Sequence, residues 1–235
     1  IVPIFRQVMG PGAVNIIYSL LGSPIALFTA YLYNSMYIGG LLLIVFPLML
    51  LRYSYLSKIQ LQQANRDLLK VLIKTIETRD PYTSGHSLRV SRLARAIAED
   101  MGLPLRQVEV IETAALLHDI GKIDSVYVEI IRKPAALTDD EHRVIKTHSV
   151  KGAELLQTLT SFSDDVVQGV RHHHERYDGR GYPDGISGES IPLASRIIML
   201  CDAIDAMLSD RPYRSALTID EVEREITACS GSQFD

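Results

Sequence analysis

At 235 residues the chain could hold one domain or two, and its 47 % hydrophobic content averages two unlike regions. No Asp, Glu, Lys or Arg occurs from Gln7 to Leu51, whereas the sequence from Arg52 onward carries 23 basic and 28 acidic residues, a net of −5. This mildly acidic remainder, without a block of Lys and Arg, excludes a general nucleic-acid surface, so no DNA or RNA polymer is expected as a partner. Cys201 and Cys229 form no CxxC pair and read as core thiols of a reducing compartment, which excludes a disulfide framework.

The charge-free run comes first. Its abrupt start at Ile1, and the stop at Asp235, suggest a fragment cut at both ends. Val14–Tyr33 supplies about twenty mostly apolar residues, enough for one membrane crossing at ~1.5 Å per residue. Asn34-Ser35 is the expected turn, and Tyr37–Leu51 a second, shorter crossing with Arg52, Tyr53 and Tyr55 at the interface. Pro24 and Pro47 kink such helices without forbidding them. Residues 1–55 are therefore expected to form a transmembrane helical hairpin that anchors the chain through residues 7–51. Arg6, Arg52, Lys58 and Arg66 then lie on the cytoplasmic side. A buried hairpin of a soluble domain is the alternative, although soluble helices normally carry a polar face.

Residues 56–76 follow as a linker helix. Leu61, Ala64, Leu68, Val71 and Thr75 recur at spacings of three and four, which fits a parallel coiled coil and a homodimer. The same pattern fits the first helix of a soluble domain packed on its own core.

From residue 77 to 235 every signal is helical and no run alternates with period two. Thr83 or Ser84 can cap a helix that Gly102 ends, and another runs from about Gln107 to Ile120. Thr138-Asp139-Asp140-Glu141 is a capping box that opens a helix through Leu159. Ser163 precedes a helix bearing Val166, Val167 and Val170. After a loop over Asp178–Pro192, a helix carries Ala194–Ser209, and Thr218-Ile219-Asp220-Glu221 is a second capping box. The expected architecture is all-α.

Histidines recur on the apolar faces of these helices. His86 is in line with Val90, Leu93 and Ile97; His148 follows Val144 and Ile145; His173 and His174 follow Val170 at three and four. One such histidine is ordinarily a satisfied core residue. Several together, with His118-Asp119 and with Asp202 amid Ile197, Ile198 and Ala203, point to a metal centre.

His118-Asp119-Ile120-Gly121-Lys122, followed by His173-His174-Glu175-Arg176-Tyr177-Asp178-Gly179-Arg180-Gly181-Tyr182-Pro183, resembles the HD-GYP family of cyclic di-GMP phosphodiesterases. The resemblance covers Glu77 to Asp235 and rests on several separated motifs in order. It implies an HD-type helical bundle that holds two divalent transition-metal ions. In that pattern Asp119 bridges the ions, His86, His118 and Asp202 complete one, and His148, His173 and His174 the other. Mixed nitrogen and oxygen ligation suits iron or manganese, the metals associated with the family, better than calcium or magnesium. Some members carry a glutamate where this chain has Tyr82, so two ions rather than three are expected. His142 and His172 have no counterpart as ligands and are expected to be solvated.

By the same resemblance, Lys122 reaches the scissile phosphate, with a structural salt bridge as the alternative. Arg211 and Arg214 bind phosphate oxygens, with surface charge as the alternative. Tyr182 stacks near a guanine or anchors its loop. The implied activity is hydrolysis of cyclic di-GMP to pGpG, from which a second cut could give GMP, at the bacterial inner membrane with the catalytic domain in the cytoplasm. A related cyclic dinucleotide is a neighbouring substrate. A degenerate receptor that binds the dinucleotide and signals through protein contacts is the rival, and a membrane sensor scaffold a third view.

Overall fold

A computed structural model describes residues 23–77, 85–131, 133, 137–210 and 215–235. Among these the secondary structure is helical, and the nearest approach to a strand is an isolated bridge between Ser230 and Phe234. The chain divides into two compact units, Ile1–Arg66 and Asp67–Asp235.

In the first unit, α1 (residues 23–36) meets α2 (Ile38–Glu77), a 40-residue helix that continues into the second unit. The expected turn at Asn34-Ser35 is displaced. Helix α1 persists through residue 36, and the chain turns at Tyr37, whose φ is 50° and whose N–H donates to Tyr33 O at 2.7 Å. The glycines that follow explain the shift. A Cβ on Gly40 would sit 2.3 Å from the Leu32 carbonyl oxygen, so only glycine allows this close approach. Helix α2 runs unbroken through Pro47. It contains a window of mean hydropathy 1.7, of which 6 % is buried, and is long and apolar enough to cross a membrane by length and composition. Most of the first expected crossing, and Arg6, lie outside the described residues.

In the second unit, the last turns of α2 place Ile73 in the core, with Leu69 packed against it. That matches the packed-helix alternative for the linker, whereas Leu68 and Val71 remain exposed. Helix α3 (His86–Asp100) buries Val90, Ala94 and Ala98, one side chain per turn. It ends as its sequence requires: Gly102 takes φ 70°, and the Gly102 and Leu103 N–H groups bond back to Glu99 and Ala98 carbonyls. Thr83 and Ser84, the expected caps, lie outside the described residues, and Gly85 occupies the cap position.

Helix α4 (Leu105–Leu117) lines the core with Val108, Ile111, Ala114, Ala115 and Leu117. It stops short of the expected Ile120, giving way at His118-Asp119 to a 3-10 turn over Ile120–Ile123. Helices α5 (Ser125–Ile131), α6 (Asp139–Lys146) and α7 (His148–Gln157) follow. The single helix expected from Thr138 to Leu159 is thus two. At the break the Thr147 hydroxyl donates to Val144 O at 2.7 Å, and the His148 ring takes the Ile145 carbonyl at 2.7 Å. Two side chains take carbonyls that a continuous helix would give to its own amides. The capping box at Thr138 is formed, as is the one at Thr218 that opens α10 (Ile219–Cys229).

Helix α8 (Asp164–Arg171), preceded by Ser163, crosses the others closely. A Cβ on Gly169 would meet Ala114 Cβ at 2.9 Å and Ala194 Cβ at 3.2 Å. Helix α9 (Leu193–Leu208) completes the core with Ala194, Ile197, Ile198 and Cys201. Cys201 is buried, burial pushing its thiol up to about 12, and Cys229 is half-buried; both are free thiols. Close approaches at Gly169 hold α8 against α4 and α9, and those at Gly121 and Gly152 hold the turn after α4 against the start of α7, which brings His118, His148 and His173 to one end of the bundle.

Candidate metal centre

The last carbonyls of an α-helix have no partner within it. Three of the candidate ligand histidines take such carbonyls. His118 Nδ1 lies 2.7 Å from Ala115 O, His148 Nδ1 2.7 Å from Ile145 O, and His173 Nδ1 2.7 Å from Val170 O. A carbonyl accepts only, so Nδ1 carries the proton in each ring and Nε2 keeps its lone pair. Each ring is thereby oriented with a ligand atom turned away from its helix end.

The candidate ligand atoms converge in two groups. His86, His118 and Asp119 form one, and His148, His173 and His174 the other, with the ligand atoms of each lying within 4.8 Å of one another. His118 and His173 have ring centroids 5.1 Å apart, so the groups adjoin. Asp119 stands between them. Its Oδ2 is 3.6 Å from His118 Nε2 and its Oδ1 3.4 Å from His148 Nε2. Asp202, on α9, brings Oδ1 to 3.2 Å from His86 Nε2. All seven ligand positions expected from the sequence are therefore brought together.

This donor set fits a divalent transition metal. His118 Nε2 and Asp119 Oδ1 are buried without a hydrogen-bond partner. Orphaned acceptors of this kind are costly unless something electrophilic faces them. The electrostatics agree. Desolvation would raise the Asp119 carboxyl, but Lys122 and His118 outweigh it and hold it well below the usual carboxylate range. For Asp202, desolvation is likewise overcome by the His86 hydrogen bond and the His118 charge, and its pKa is lowered. Burial and the Lys122 charge lower His148 to about 4, and burial and the His148 charge lower His174 to about 3. His173 is lowered too, by burial and by His174. Neutral imidazole is the form that binds a metal.

The surrounding residues are only partly those expected. Lys122 Nζ lies 2.7 Å from Asp119 Oδ2 in an ion pair. Tyr182 stacks on the His174 ring at 4.7 Å between centroids, with Lys146 Nζ 5.3 Å from its ring centre. Arg211, Arg214 and Tyr82 lie outside the described residues. His142 is exposed as expected, but His172 is not solvated. It is buried, with Nε2 2.9 Å from Asp184 Oδ2 and Nδ1 3.0 Å from Gln168 O. Arg171 pairs with the same Asp184, so the two side chains clamp the loop that carries Tyr182.

Two further acids escaped the sequence reading. Asp205 holds His86 Nδ1 at 2.7 Å and is itself held by Arg89 at 2.6 Å. Such a carboxylate behind a ligand histidine orients the ring and raises its basicity. Its signal was the i, i+3 spacing from Asp202 on one helix. Glu175 is 2 % exposed, and its Oε1 accepts the Asp184 and Gly185 N–H groups at 2.6 and 3.0 Å. It ties the loop to the histidine pair from below. Gly181 makes that fit possible, since a Cβ there would lie 2.3 Å from Arg176 N.

Helical bundle, His-Asp run and convergent histidines together define the class, and residues 70–235 match the HD domain family. The chain belongs to that family, in its HD-GYP branch. Among its relatives, the cyclic di-GMP phosphodiesterase response regulator RpfG of Xanthomonas campestris is 42 % identical over 75 % of this chain and 47 % of its own length. A 3'3'-cGAMP-specific phosphodiesterase 3 of Vibrio cholerae is 38 % identical over 63 % of this chain and 32 % of its own. The chain thus spans about half or less of the length of these relatives. A crystal structure of a cyclic GMP-AMP specific phosphodiesterase of Vibrio cholerae superposes with a TM-score of 0.54 at 24 % identity, over 72 % of this chain and 46 % of that one. That likeness speaks to the fold. HD domains bind divalent metals, and the His and Asp groups described above could hold them.

Proposed function

We propose that this chain is the membrane-proximal and catalytic part of a bacterial phosphodiesterase that hydrolyses cyclic di-GMP to linear pGpG, from which a second cut could give GMP. The observation that carries the reading is Asp119, whose two oxygens face two separate histidine groups. Two divalent ions, iron or manganese, would be held by His86, His118 and Asp202 on one side and by His148, His173 and His174 on the other. Asp119 would be shared. A bound pair supplies Lewis acidity to a phosphoryl group and activates water for in-line displacement.

The chain's own residues do the rest. Lys122 presents a cation beside Asp119, where charge builds on the phosphoryl oxygens. Arg211 and Arg214 grip phosphate oxygens, a task for the planar guanidinium fork. Tyr182 packs one ring face on His174 and offers its edge and hydroxyl to a base. Residues 77–235 form the phosphodiesterase domain, 56–76 the linker, and 1–55 the membrane region. The apolar stretch of α2 supports anchoring in the inner membrane with the catalytic domain cytoplasmic. The exposed Leu68 and Val71 support a homodimer through the linker helix.

An anaerobic assay of the metal-analysed protein with cyclic di-GMP and 3'3'-cGAMP side by side tests the reading. Two iron or manganese ions per chain, turnover of cyclic di-GMP, loss in excess chelator and no rescue by calcium are expected. Full activity in chelator would overturn it. Binding without turnover would instead favour a receptor, against which stands the retention of every ligand position.

A further inference from the structure

A buried acid outside both histidine groups is joined to one of them through the backbone. Glu77 closes α2 and is 7 % exposed. Its Oε2 accepts the Gly85 N–H at 2.7 Å and its Oε1 the Ser87 N–H at 2.8 Å. Those amides flank His86, the first residue of α3. Gly85, at φ 73°, has no side chain with which to cap the helix, and the first amides of a helix need an acceptor. Glu77 provides it, with the negative charge that a helix N-terminus favours. On its other side His86 is held by Asp205, which Arg89 holds in turn. The turn bearing Glu77 is itself fixed, since Ile73 lies one turn earlier in the core.

We infer that Glu77 is a positioning residue for His86. It ties the last turn of α2 to the first turn of α3, so that movement of α2 reaches the His86 imidazole. His148 opens α7, and His173 and His174 follow α8, so neither element takes this restraint. The linker helix therefore acts on one metal group and spares the other. The inference rests on the two-ion reading above.

The test is manganese binding to the full metal-free chain in detergent, followed by the spin-resonance signal of free Mn²⁺. Glu77→Gln keeps the length but sets an NH₂ against one of the two amide N–H groups. In a His148→Ala background, where the His86 group remains, Glu77→Gln should weaken the surviving site about tenfold, as loss of an orienting partner does. In a His86→Ala background it should leave the surviving site within twofold. Glu77→Asp, which keeps both acceptors, should recover part of the loss. Equal weakening in both backgrounds would make Glu77 a residue of the fold alone, and no weakening in either would remove its role; both overturn the inference. A wild-type chain that binds no Mn²⁺ would overturn the two-ion reading, and the inference with it.

Discussion

The two histidine groups adjoin, yet they are built on opposite electrostatic plans. Around His86 the partners are carboxylates. Burial alone would lower its pKa, but the hydrogen bonds of Asp202 and Asp205 outweigh it and push the imidazole up to about 10. Around His148 the partners are imidazoles, and burial with neighbouring positive charge drives all three rings down. The three rings of the His148 group are thus neutral at neutral pH, whereas the His86 ring, between two carboxylates, holds a proton that a cation must displace. Asp119 faces both, and a carboxylate there serves each plan: it offsets charge on one side and supplies it on the other.

Removing that shared residue should have the largest effect. Asp119→Ala is expected to abolish cyclic di-GMP hydrolysis in metal-replete buffer with helicity intact, and to lower metal content at both groups. Substantial remaining turnover would break the picture of one carboxylate serving two sites.

Arg211→Ala separates substrate from metal. A lost charge-assisted contact to phosphate costs ~1.5–3 kcal/mol, more than tenfold in affinity. Dinucleotide binding should fall by that factor while both groups keep their ions. Unchanged dinucleotide affinity would return Arg211 to plain surface charge.

Gly121→Ala is a smaller perturbation aimed at one group. A Cβ there would lie 2.0 Å from the His148 carbonyl oxygen and 2.7 Å from Gly152 N. The 3-10 turn after Asp119 must therefore back away from α7. Overpacking of this kind costs about 1–3 kcal/mol. The melting temperature should fall, and metal affinity should fall more at the His148 group than at the His86 group. Equal losses would mean that the groups are mechanically one.

Much of this centre is legible in the sequence, for particular reasons. The seven ligand candidates sit on apolar helical faces or in two short runs, so periodicity and motif agree on them. The capping boxes at Thr138 and Thr218 are local and complete in four residues, and both form. What was missed depends on distant or backbone partners. Asp205 meets His86 across 119 positions, and Glu77 and Glu175 accept from backbone amides, which leave no pattern in side chains. The break at Thr147 is a competition between side chains and backbone for the same carbonyls, and hydrophobic spacing does not register it.

The smallest effects belong to the two histidines outside both groups, which sequence treated alike and structure does not. His142 is exposed on α6, and its replacement by Ala should leave turnover within twofold and the melting temperature unmoved. His172 is buried against Asp184, the residue after Pro183. His172→Ala removes one of two grips on that loop, because Arg171 still holds Asp184 through two nitrogens. The ring's contacts to Asp184 Oδ2 and to Gln168 O are both lost, at about 1 kcal/mol for each hydrogen bond. Melting should shift by a few degrees, and the loss should appear in KM more than in kcat, since the loop carries Tyr182 rather than a ligand atom. If His172→Ala instead stripped metal from the His148 group, the clamp would be acting on His173 and His174 directly. The loop could then no longer be separated from the metal site it covers.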